Sequence, residues 1–180
     1  MLVAVLGCGQ LARMLAQVAG KLGAECVFVA IEEESVDCIT GLGEAVYWSP
    51  GDDPVALYRA LGEPDVVTIE RESVDVELLL ALQACCPVLP NPESVRVGQN
   101  RRRERELLQA LDIPCAPHRV ANSPAEAHAA VQALGLPLVV KATESGYDGK
   151  LQWRLRTVAD VEEFCSGDFP GECLLEQWVD

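Results

Sequence analysis

The 180-residue chain alternates short continuous apolar runs with stretches whose apolar residues recur every three or four positions. Residues 2–6 form such a run, ending in glycine. Leu11, Met14, Leu15, Val18 and Leu22 then recur at helical spacing, and Gly23 closes that helix. Further runs at 26–31, 44–48, 66–69 and 88–89 read as strands, with helices predicted over 54–61 and 76–84. Asp52 or Asp53 stands where a cap is needed before Pro54. Strand and helix in alternation imply a parallel sheet with helices on both faces.

The rhythm changes at Pro90-Asn91-Pro92, which marks a turn. A single charged helix is predicted over 99–111. Ser123 with Glu126 three residues later forms a capping box for a helix over 124–134, which Gly135 ends. Strands follow at 138–140, 152–155 and 173–179, with a helix at 158–164. The chain thus divides into 1–98, a Rossmann-like parallel-sheet domain, and 99–180, an α+β unit.

Charge and cysteine content narrow the function. A net charge of −14 argues against a general nucleic-acid binder, which needs a basic face. The only dense basic cluster, Arg101-Arg102-Arg103 with Arg105, is interleaved with Glu104 and Glu106 and reads as a solvated helix face. No apolar run is long enough to span a bilayer. The apolar start lacks a basic flank or cleavage pattern, so a buried strand and a cytoplasmic protein are expected. Eight cysteines without a C-x-x-C pair read as reduced thiols rather than zinc ligands, several of them acting as small core residues.

Three segments carry candidate chemistry. Gly7-Cys8-Gly9-Gln10-Leu11-Ala12 joins a strand to a helix, where backbone N–H groups favour an anion. A dinucleotide with Glu32 as its ribose acceptor, another phosphate ligand, and a tight turn with no ligand all remain open. Glu70 and Glu72 follow the fourth strand, at the sheet edge where ligands bind in open α/β folds. The third segment ends a strand in Lys141 and continues through the glycine-bearing loop Gly146-Tyr147-Asp148-Gly149-Lys150. A strand-end lysine can neutralise phosphate charge, and such a loop can fold over a triphosphate. It is not a Walker A loop.

Taken in order, Gly9-Gln10-Leu11-Ala12-Arg13-Met14-Leu15, Val66-Val67-Thr68-Ile69-Glu70, Gln99-Asn100-Arg101, the Gly146–Gln152 loop and Glu176-Gln177-Trp178-Val179 resemble the N5-carboxyaminoimidazole ribonucleotide synthetase family. These are ATP-grasp ligases of purine synthesis. The resemblance covers the whole chain and displaces the dinucleotide reading to a minor alternative. It implies a Rossmann-like pre-ATP-grasp domain followed by the first subdomain of an ATP-grasp fold, truncated. ATP would meet Arg101, Lys141, Gly146, Tyr147, Asp148, Gly149, Lys150, Leu151 and Gln152, with the adenine edge at Glu176, Gln177, Trp178 and Val179. Aminoimidazole ribonucleotide would meet Gly9, Gln10, Leu11 and Glu70 or Glu72.

The resemblance also implies bicarbonate as co-substrate, a homodimer, and magnesium bound by carboxylates beyond residue 180, together with the catalytic residues. The chain departs from the family at Arg71 (usually Phe), Ser73 (usually Asn) and Leu151 (usually Gly). Another ATP-grasp ligase, such as a purine formyltransferase or carboxylase relative, and a non-catalytic nucleotide-binding module are the competing expectations.

Overall fold

The computed structural model describes residues 1–31, 33–144 and 151–179. It divides into two units, Met1–Arg96 and Val97–Asp180. Among the described residues no helix is long and apolar enough to cross a membrane.

The first unit is built on five parallel strands: β1 (Leu2–Leu6), β2 (Glu25–Ile31), β3 (Ala45–Trp48), β4 (Val66–Ile69) and β5 (Val88–Leu89), in the order β3-β2-β1-β4-β5. Helices α2 (Pro54–Ala60) and α3 (Val76–Gln83) contribute Leu57, Leu78, Leu79 and Leu82 to one core with Ala4, Leu6, Val27, Val29 and Val67. Helix α1 (Gln10–Lys21) and a 3-10 turn at Asp37–Ile39 line the other face over Val5, Phe28 and Ala30. Strand side chains alternate between the two faces, so the central strands read as unbroken apolar runs. Asp53 caps α2 through the Val55 N–H at 3.0 Å, and Asp75 caps α3 through the Glu77 N–H at 2.9 Å.

Helix α1 lies where its periodicity predicts, but on a different face. It buries Ala12 and Ala16 against the sheet and leaves Leu11, Met14, Leu15, Val18 and Leu22 43–80% exposed. Small residues let the helix axis approach the strands closely, and the larger residues flank that contact. The double-proline segment also differs from expectation. Asn91 accepts from the Glu93 N–H at 2.9 Å and starts α4 (Pro92–Gly98). The predicted long helix is therefore two, because Asn100 caps a separate α5 (Arg101–Ala110) through the N–H groups of Arg102 and Arg103.

The second unit is an antiparallel sheet of β6 (His118–Ala121), β7 (Leu138–Ala142), β8 (Gln152–Leu155) and β9 (Cys173–Gln177), in the order β6-β9-β7-β8. Helices α6 (Pro124–Leu134) and α7 (Val158–Ser166) cover one face, around Leu138, Val140, Leu155, Phe164 and Leu175. The box at α6 is only partly the expected one. Ser123 accepts from the Glu126 N–H at 3.3 Å, but the Glu126 carboxylate returns to the N–H of Asn122. A complete box stands at α7, between Thr157 and Asp160.

Enlarging Ala12, which is 0% exposed, should destabilise the first unit. Ala12→Leu is expected to cost about 1–3 kcal/mol by overpacking, against roughly 0.5 kcal/mol or less for Leu22→Ala at an exposed position. Urea unfolding of the variants followed by circular dichroism checks both.

Candidate functional site

In the first unit, the C-terminal ends of β1, β2 and β4 bring Gly7-Cys8-Gly9, Glu34 and Glu70 together. The Gly9 N–H donates to Glu70 Oε2 at 2.7 Å. The Cys8 N–H donates to Glu34 Oε1 at 3.1 Å, and Glu34 Oε2 accepts from the Ile31 N–H at 3.3 Å. The glycines make room for Glu70. A Cβ on Gly7, whose φ is +114°, would lie 2.9 Å from Glu70 Oε2, and one on Gly9 would overlap the same carboxylate.

The anion expected at this turn is thus the protein's own pair of carboxylates. A dinucleotide pyrophosphate would have to displace Glu70 from Gly9 and would meet like charge at Glu34. Arg71 Nη2 sits 3.4 Å from Glu34 Oε2, so the arginine that departs from the family pattern answers that second carboxylate. Burial, then Glu34 and Glu70, push the Cys8 thiol up to about 11, which leaves it protonated and unreactive at neutral pH. Gln10, Leu11 and Glu72 are exposed beside this cluster. Glu32 lies outside the described residues.

In the second unit, the face of the sheet opposite α6 and α7 carries the other candidate site. Register decides who meets whom. Lys141 pairs with Leu174 on β9 and with Gln152 on β8, while Glu176 pairs with Val139 and with His118. Lys141 and Glu176 are thus diagonal neighbours on one face, within reach of long side chains. Strand β7 runs to Ala142, so Lys141 lies one residue inside the strand rather than at its end.

Lys141 Nζ donates to Glu176 Oε2 at 2.6 Å, and Arg105 Nε donates to Glu176 Oε1 at 2.7 Å. Glu176 is only 5% exposed. Burial opposes its ionised form, but the hydrogen bonds from Lys141 and Arg105 outweigh it and hold its pKa below the ordinary glutamate value. Two cations meet this one carboxylate beside an open cavity of about 270 Å³, and Glu104 Oε2 lies 3.5 Å from Arg105 Nη1. The cavity walls include Arg105, Lys141, Gln152, Glu176, Trp178 and Val179. Arg154 lies 5.4 Å from the centroid of the Trp178 ring.

Arg101 anchors the start of α5 to the end of β7. Its Nη1 donates to the Ala142 carbonyl at 2.6 Å and its N–H to the Thr143 carbonyl at 2.8 Å. The Gln177 side chain reaches the Leu134 carbonyl at 2.8 Å. The N–H groups of Gln177 and Trp178 donate to the carbonyls of Pro117 and Pro137. The loop residues Gly146, Tyr147, Asp148, Gly149 and Lys150 lie outside the described residues, and Leu151 follows them at 36% exposure.

Arg105, Glu34 and Asn100 are absent from the sequence-predicted set. Arg105 corrects the reading of the basic cluster as a solvated face, since its side chain is 19% exposed and bonded to a buried acid. The available signal was the spacing of Arg101 and Arg105, four apart and therefore on one helix face. Asn100 is 3% exposed and joins Glu144 at 3.0 Å.

Comparison with known proteins places both units. Residues 1–99 match the ribonucleotide synthetase preATP-grasp domain, and residues 106–180 match the ATP-grasp domain. The N5-carboxyaminoimidazole ribonucleotide synthase of Pseudomonas aeruginosa is 38% identical over 99% of this chain and 49% of its own length. The enzyme of the same name from Bacillus subtilis is 29% identical over 98% of this chain and 46% of its own.

Among solved structures, N5-carboxyaminoimidazole synthetase from Staphylococcus aureus complexed with ADP superposes with a TM-score of 0.87 at 27% identity. It is matched over 99% of this chain and 48% of its own. The Aspergillus clavatus enzyme in complex with ADP and 5-aminoimidazole ribonucleotide gives 0.81 at 28% identity, over 99% of this chain and 46% of its own. The chain spans about half the length of the curated relatives it matches.

The lowered pKa of Glu176 fixes the sign of a pH dependence. Its stabilising contribution is present above the ordinary glutamate range, near 4.5, and is lost as pH falls through that range and the lower folded value. Glu176→Gln should remove that acid slope and, by leaving two cations without their carboxylate, cost about 3 kcal/mol at neutral pH. Urea unfolding of both proteins from pH 7 to pH 3 measures this.

Proposed function

The chain belongs to the ribonucleotide synthetase preATP-grasp family, and we propose that it forms the front part of an ATP-dependent ligase of de novo purine synthesis. The reaction is carboxylation of 5-aminoimidazole ribonucleotide by bicarbonate to the N5-carboxy product. ATP phosphorylates bicarbonate to carboxyphosphate. The exocyclic amine then takes the carboxyl group, and phosphate leaves. The observation that carries this reading is the Lys141–Glu176 pair on the open face of the second unit, within a segment that matches the ATP-grasp domain.

In this reading the residues divide the work between two substrates. Lys141 presents its ammonium to the nucleotide phosphates, with Gln152 directly across the ladder and Arg101 at the end of the same strand. Such fixed cations stabilise the charge on a transferring phosphoryl group. The cavity beside Trp178 takes the adenine ring. Of the amides in segment 177–179, Val179 is the donor to the adenine edge, because Gln177 and Trp178 already donate within the protein. Glu176 and Gln177 support that segment. The family resemblance assigns Gly146, Tyr147, Asp148, Gly149 and Lys150, with Leu151, to the phosphates.

In the first unit, Glu70 accepts from the ribose hydroxyls or the amine of the ribonucleotide, with Gly9, Gln10, Leu11 and Glu72 around it. Among the described residues no three His, Cys, Asp or Glu side chains are grouped to hold a metal. The family resemblance assigns the magnesium ligands to polypeptide corresponding to the other half of the relatives, and no step here runs through the ion. The working enzyme is taken as cytoplasmic, and as a homodimer because the family resemblance implies one.

A chimera joining this chain to the remaining half of the Pseudomonas aeruginosa synthase should hydrolyse ATP in response to 5-aminoimidazole ribonucleotide. The 180-residue chain alone should bind ATP weakly and show no such turnover. A phosphate-release assay separates the outcomes. Substrate-dependent hydrolysis by the chain alone, or hydrolysis by the chimera indifferent to the ribonucleotide, would sink the proposal.

A further inference from the structure

Glu176 has one oxygen on each of two cations, and those cations differ in kind. Lys141 carries a compact ammonium on a flexible stem, whereas Arg105 presents a rigid guanidinium from α5. A buried carboxylate strongly resists losing its partners. With Lys141 alone, Glu176 would hold that ammonium against any competing phosphate. With Arg105 bonded to the other oxygen, Glu176 keeps a charge-assisted partner when Lys141 turns away. Glu104 lies 3.5 Å from Arg105 Nη1, opposite the Nε that meets Glu176, and fixes the guanidinium further.

We propose that Arg105 is a positioning residue that retains the Glu176 carboxylate, so that Lys141 is free to move onto the phosphate of a bound nucleotide. The role rests on the nucleotide reading of this face. It also makes a claim about Lys141 in the absence of ligand. Removing Arg105 leaves Lys141 as the sole charged partner of Glu176 among the described residues, and the ammonium becomes less available.

Two measurements on the purified chain test this. The first is the rate of reductive methylation of Lys141, followed by mass spectrometry with Lys21 as internal reference. In Arg105→Met the Lys141 rate should fall several-fold relative to Lys21, and Arg105→Lys should recover part of it. An unchanged Lys141 rate in Arg105→Met overturns the proposal. The second is titration with ADP and with adenosine. Arg105→Met should weaken ADP roughly tenfold and adenosine far less, because Arg105 borders the adenine cavity but only the phosphate needs Lys141. Equal weakening of both would mean that Arg105 merely supports the pocket, and the proposal fails.

If Arg105→Met does not fold, Arg105→Lys carries both measurements, with a smaller loss expected for ADP than for the methionine variant and a smaller one still for adenosine. If the unaltered chain binds no ADP while Lys141 still slows in the variant, the nucleotide reading fails and the control of Lys141 by Arg105 stands.

Discussion

Glu176 has to be ionised on a sheet face that gives it almost no water, and much of the second unit is arranged around that constraint. Its carboxylate is stable there only because Lys141 approaches from β7 and Arg105 from α5. The register of β7 against β9 brings Lys141 and Glu176 together, and Arg105 ties α5 to the same face. The three residues also set the local charge. One buried acid stands between two bases, with Glu104 beside Arg105, on a chain whose net charge is −14. An anionic ligand approaching the whole protein is repelled at long range, yet meets Lys141 and Arg105 at contact. At physiological ionic strength the long-range part is screened within about 8 Å, so contact geometry dominates.

The first unit solves the opposite problem. Its glycine turn exposes backbone donors at the end of a parallel sheet, a place that attracts anions. Glu70 and Glu34 fill those donors from within. The result is an acidic edge with carboxylate acceptors at Glu70 and Glu34. Arg71, which departs from the family pattern, is held by Glu34 and so belongs to this arrangement.

The order of strands and helices was legible in the sequence, because buried parallel strands must be apolar and caps must be Asp, Ser or Asn. Lys141 and Glu176 were legible through the resemblance. Their contact was not, since it depends on strand register, which no local pattern encodes. Arg105 was hidden for a related reason. Its neighbours alternate in sign, and only the packing of α5 decides which arginine turns inward. Helix α1 shows the limit of periodicity most plainly. The stripe of Leu11, Met14, Leu15, Val18 and Leu22 established a helix, but Ala12 and Ala16 are what the sheet accepts. The structure shows two helices where one was expected near residue 99, because Asn91 and Asn100 each act as a cap.

The central claim is that the open face of the second unit, organised around Glu176, is a nucleotide site. Titrating an isotopically labelled sample with ADP and mapping the shifted amide resonances tests it most directly. The account predicts shifts centred on Lys141, Gln152, Glu176, Trp178 and Val179. Shifts centred instead on Gly7, Cys8 and Gly9, with the second unit unmoved, would contradict it.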